Sequence, residues 1–131
     1  MLKRKMLEKL LVWKRTKDKE CLLIKGARQV GKTFIVQQFA VEEYSEKNYI
    51  ELNFLFHPEL ISLFSGDLSI DALILGLSAY FPGKEFTAGK TLVFLDEIQK
   101  CPQARTALKA FALDNRYDVV ASGSLLGLHY G

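Results

Sequence analysis

Gly26-Ala27-Arg28-Gln29-Val30-Gly31-Lys32-Thr33 fills every fixed position of the pattern G-x-x-x-x-G-K-[ST]. Each fixed residue answers a physical demand of holding a phosphate chain. Glycine permits backbone conformations that side chains resist, so successive N–H groups and the start of the next helix can turn toward an anion. Lysine adds a mobile positive charge for β and γ phosphates, and a threonine hydroxyl is a hard oxygen ligand suited to Mg²⁺. The flanks supply the context that the motif requires. Cys21-Leu22-Leu23-Ile24-Lys25 is an apolar run of strand length, and Phe34, Ile35, Val36, Phe39 and Ala40 continue at helical spacing to about Tyr44. The stretch reads as a nucleoside-triphosphate-binding loop between a strand and a helix. Gly26, Ala27, Arg28, Gln29, Val30, Gly31, Lys32 and Thr33 are its binding residues.

Working outward, Asn48 to Phe54 (NYIELNF) reads as a second strand, and 57–66 as irregular or briefly helical. Ile70, Leu73, Ile74, Leu77 and Tyr80 form a helical stripe behind Ser69, a side chain suited to capping. Thr91 to Glu97 (TLVFLDE) is a third strand running into two acids. Pro102 opens a further helix with Ala104, Ala107, Leu108 and Phe111 inward, and Tyr117 to Ser122 (YDVVAS) is a fourth strand. Strands alternating with helices predict an α/β fold: a three-layer core with a mainly parallel sheet and helices on both faces.

Leu92-Val93-Phe94-Leu95-Asp96-Glu97 is the second chemical signal, an apolar strand whose tip presents adjacent carboxylates. Downstream of a phosphate-binding loop it looks like a Walker B segment. Asp96 is expected to join Thr33 at the metal, acting through water, and Glu97 to position and polarise the attacking water. Lys32 belongs with Glu97 among the catalytic candidates. Ser122-Gly123-Ser124 ends the fourth strand, where a hydroxyl could sense the γ-phosphate. Ser124 is preferred to Ser122, with an ordinary glycine turn as the alternative. Arg28 and Gln29, inside the loop, suit solvent better than a nucleotide or a neighbouring subunit. His57, Arg105 and Arg116 show no feature above surface charge.

The 131 residues fit one domain, and 49% apolar with 25% charged residues matches ordinary globular chains. Every apolar run falls short of the about 20 residues a bilayer span needs. The basic then apolar start makes a poor signal peptide because charges recur and no cleavage site follows, so a cytoplasmic location is expected. Cys21 and Cys101 lack metal-ligand spacing and read as reduced structural thiols. Residues 1–19 hold eight Lys or Arg against two acids, so the basic excess of the chain is N-terminal. Leu2, Met6, Leu7, Leu10, Leu11 and Trp13 make that segment an amphipathic helix docked on the body. Its charged face is either solvated or a contact for nucleic acid or an acidic partner.

GARQVGKT, LDEIQKCP and VVASGSLLG together resemble the AAA-type ATPase domain of a bacterial and archaeal family of poorly defined role. MLKRKMLEKLLVWK is similar to the helix that precedes the loop in those proteins, and YIELNF to their second strand. The resemblance implies ATP and Mg²⁺ as ligands and a sheet in the order 5-1-4-3-2. It also implies Walker roles for Gly26, Gly31, Lys32, Thr33, Asp96 and Glu97. Family members continue past the fourth strand into a fifth strand, a helical lid and a further domain. The chain is thus expected to be a single, truncated domain over 1–131, with a basic helix at 1–19, a core at 20–131 and strand order 1-4-3-2. Strand one is then an open edge suited to a homo-oligomer or a completing chain. Mg-dependent ATP hydrolysis is the leading expectation. A binding fragment with little turnover, lacking an arginine finger, and a fragment acting on DNA or protein through the basic helix are the alternatives.

Overall fold

In a strand, alternate side chains point to opposite faces, so an uninterrupted apolar run can serve two cores at once. The computed structural model, which describes residues 2–16, 19–26 and 31–124, is built on this property. Strands β1 (Leu22–Lys25), β2 (Tyr49–Asn53), β3 (Leu92–Asp96) and β4 (Asp118–Gly123) form one sheet in the order β1-β4-β3-β2. All three pairings are parallel. Helices α1 (Leu2–Arg15), α2 (Lys32–Glu43), α3 (Ile70–Tyr80) and α4 (Pro102–Asp114) cover it. The fold is therefore the α/β arrangement expected, with the sheet wholly parallel.

Central strand β3 is buried throughout. Leu92 and Phe94 join Ile24 and Val120 on one face, against Leu10 of α1 and Ile35, Val36, Phe39 and Ala40 of α2. Val93 and Leu95 join Ile50, Leu52, Val119 and Ala121 on the other, against Leu73 and Leu77 of α3 and Ala104, Ala107 and Phe111 of α4. Met6, Leu7, Leu11 and Trp13 pack α1 onto the first face. Trp13 Nε1 also donates to the Glu20 carbonyl at 2.7 Å.

Local signals start α3 and α4 where the sequence indicated. Ser69 Oγ accepts from the Ala72 N–H at 3.4 Å, capping α3. Pro102 opens α4, and Asn115 closes it at φ 60°, a conformation asparagine tolerates better than most residues. Several expectations need correction. Glu97 lies outside β3, at φ 58° and ψ 46°, and starts a 3₁₀ turn over Ile98–Lys100. Cys21 precedes β1, and Asn48 and Phe54 flank β2. Phe34 and Tyr80 sit on the outer faces of their helices, at 58% and 43% exposure, because helical spacing alone does not say which residues reach the stripe's edge. Lys3 Nζ lies 4.5 Å from the centroid of the exposed Phe34 ring. Arg116 is exposed, as a surface charge should be, and pairs there with Asp71 at 2.7 Å and Asp114 at 2.9 Å.

Candidate functional site

Parallel strands bring all their C-terminal ends to one side, which is where open α/β sheets hold their ligands. Register levels those ends: Lys25 lies beside Gly123, Leu95 beside Ala121 and Asn53 beside Asp96. Helix α2 starts on the same side. Its N-cap Gly31 has φ 74° and ψ 30°, a left-handed conformation in which a side chain would be strained, although a Cβ there would meet no other atom. The left-handed cap lets the chain reverse into α2, whose first-turn N–H groups lack intrahelical acceptors. Ala27, Arg28, Gln29 and Val30 lie outside the described residues.

Lys32, the first residue of α2, is 7% exposed. Its Nζ donates to the carbonyls of Gly26 and Gly123, each at 2.8 Å. The ammonium thus sits between the end of β1 and the end of β4. Carbonyl partners of this kind offset the desolvation of a buried cation.

Asp96 is the hub of the site and is 2% exposed. Oδ2 accepts from Thr33 Oγ1 at 2.6 Å and from Asn53 Nδ2 at 3.3 Å. Oδ1 accepts from Ser122 Oγ at 2.6 Å and from the Glu97 N–H at 2.9 Å. Four donors reach one carboxylate, which uses the acceptor capacity of both oxygens. They arrive from α2, β2, β4 and the turn after β3. Asn53 is held in turn, because its Oδ1 accepts from the N–H groups of Leu55 and Phe56.

Glu97 stands at the rim. Its Oε1 accepts from Gln99 Nε2 at 2.8 Å, and Gln99 Oε1 accepts from the Ser124 N–H at 3.2 Å. The two serines therefore differ in place. Ser122 is fully buried with its hydroxyl on Asp96, whereas Ser124 is half-buried and its backbone meets Gln99.

Asn53 and Gln99 are site residues that the motifs did not single out. Asn53 could have been found by aligning strand ends, since a polar residue closes β2 at the level where an acid closes β3. Gln99 carries no such signal, because its reach depends on the turn that follows Glu97.

Thr33 and Asp96 offer neighbouring hard oxygen donors, a set that fits Mg²⁺, which takes few protein ligands and completes its shell with water and phosphate oxygens. Away from the site, Cys21 and Cys101 are free thiols. Burial pushes the Cys21 thiol up to about 12, and burial also raises Cys101. Among the described residues no helix is long and apolar enough to cross a membrane.

No curated protein and no solved structure matches the chain significantly. A family model described as an AAA domain, however, matches residues 18–130. With the Gly26–Thr33 sequence motif, the parallel sheet and the Asp96 hub on record, that match shows that the chain belongs to the AAA domain family and is an AAA-type, P-loop ATPase-like domain.

Proposed function

We propose that the domain binds ATP with Mg²⁺ and hydrolyses its β–γ phosphoanhydride bond. The observation that carries this reading is the 2.6 Å hydrogen bond from Thr33 to Asp96, because it joins two motif segments 63 residues apart at the head of one helix. Lys32 supplies positive charge to the β and γ phosphates. Thr33 and Asp96 would hold the metal. The bound ion supplies neutralisation of charge on the phosphate oxygens. Glu97 orients the attacking water and accepts its proton as the water oxygen bonds to the γ-phosphorus and ADP leaves. Ser124, with Ser122 behind it, provides the polar contact that senses the γ-phosphate. Within this single domain the helix in 1–19 braces α2 from outside, consistent with the apolar cluster they share.

A thermal melt with Mg-ATP tests binding. At about 100 times its dissociation constant the ligand stabilises the fold by roughly 2.7 kcal/mol, and Lys32→Ala abolishes that shift. An unshifted melt of the intact protein at saturating nucleotide overturns the proposal. Phosphate release tests hydrolysis. Glu97→Gln is expected to keep the melting shift while lowering turnover about 100-fold or more, the usual contribution of a positioned base. A nucleotide shift without turnover in the intact protein would establish a binding module instead.

A further inference from the structure

We propose that Gln99 is a positioning residue that fixes the Glu97 carboxylate and makes its placement depend on the tip of β4. This rests on the reading of Glu97 as the group that orients water. Three observations carry it. First, Glu97 occupies a left-handed backbone conformation, which a side-chain-bearing residue adopts only where the surrounding structure holds it there. Second, the Gln99 amide is used at both ends: Nε2 donates to Glu97 Oε1 at 2.8 Å, and Oε1 accepts from the Ser124 N–H at 3.2 Å. A carboxylate can only accept from an amide nitrogen and a backbone N–H can only donate to the amide oxygen. Both contacts therefore select the same orientation of the group.

Third, the backbone under Gln99 is pinned. Ile98 and Cys101 on either side are fully buried, the Lys100 N–H donates to the Glu97 carbonyl at 3.0 Å, and the Cys101 N–H donates to the Ile98 carbonyl at 2.9 Å. Gln99 is thus a short strut of fixed origin. It spans from the turn after β3 to the end of the neighbouring strand β4, whose Gly123 carbonyl also receives Lys32. Any shift of Ser124 is transmitted through one amide to the Glu97 carboxylate. The strut links the end of β4, where a γ-phosphate sensor is proposed, to the group that orients water.

Steady-state ATP hydrolysis by the full chain tests the strut. Gln99→Ala is expected to lower kcat about 10- to 100-fold, the scale of a displaced catalytic group, with KM for ATP and the Mg-ATP melting shift unchanged. Gln99→Glu keeps the shape and the acceptor for Ser124 but loses the donor to Glu97, and should be as slow. Wild-type kcat in either variant overturns the proposal. So does a joint fall of kcat, nucleotide affinity and melting temperature, which marks a merely structural role. A readout independent of turnover is the side-chain NH₂ signal of Gln99 in the NMR spectrum, identified by its loss in Gln99→Ala. It should move in Glu97→Ala, and an unmoved signal also overturns the strut. Failure of the underlying reading looks different: Glu97→Gln then turns over as fast as the wild type whatever Gln99 does.

Discussion

Asp96 shows how much a single buried side chain can organise. Its two oxygens accept four hydrogen bonds from Thr33, Asn53, Ser122 and the Glu97 backbone, so each donor is positioned by the same acceptor. Removing one donor should be felt in stability as well as in the site. Ser122→Ala leaves Oδ1 with the Glu97 N–H alone and is expected to lower the unfolding free energy by about 1–3 kcal/mol, measured by urea denaturation. An unchanged midpoint would mean that water replaces the hydroxyl at no cost. Residue types in this cluster were readable from the motifs, since Lys32, Thr33 and Asp96 fill the positions where the proposed phosphate and metal chemistry would need them. Partners were not. Ser122 lies 26 positions from Asp96, and only β3–β4 pairing brings them to 2.6 Å.

Among the elements, α1 has the clearest dependence on packing. Its seam of Met6, Leu7, Leu10, Leu11 and Trp13 follows helical spacing, and Leu10 is fully buried against the first face of the sheet beside α2. Because most helical stability comes from such docking, Leu10→Ala should cost about 2–5 kcal/mol and loosen α1. Hydrogen exchange along α1, compared between variant and wild type, checks this; protection retained throughout would show that the helix does not rely on that contact. The 3₁₀ turn over Ile98–Lys100 carries the opposite lesson. An apolar strand followed by Asp96-Glu97 suggested that both acids end the strand, yet β3 stops at Asp96 and Glu97 turns away in a left-handed conformation. No periodicity reports such a turn, because it is set by Ile98 and Cys101 dropping into the core on either side of Gln99.

For the whole molecule, burial of titratable groups sets a limit at alkaline pH. Cys21 is raised from 9.0 to about 12 by desolvation, and Tyr44 and Tyr49 are raised further by burial and by hydrogen bonds to Asp118 and Glu51. Each raised group favours its neutral form in the fold. Its contribution is therefore complete below its unfolded value and declines as pH climbs from that value toward the folded one. Unfolding free energy should hold up to about pH 9 and fall steadily through pH 12, followed by circular dichroism in urea. Ultraviolet titration should find Tyr44 and Tyr49 un-ionised until the fold is lost, and a flat stability profile to pH 12 would contradict the assignment. The elements, their α/β alternation and the Gly26–Thr33 motif were legible in local pattern, since strand and helix periods and motif spacing belong to neighbouring residues. Strand order 1-4-3-2 came from family resemblance rather than from spacing. The convergence of Lys32 on Gly123, of four donors on Asp96 and of Gln99 on Glu97 and Ser124 required the folded sheet. Those contacts join distant segments, and their geometry follows from parallel register, which no local stretch of the chain encodes.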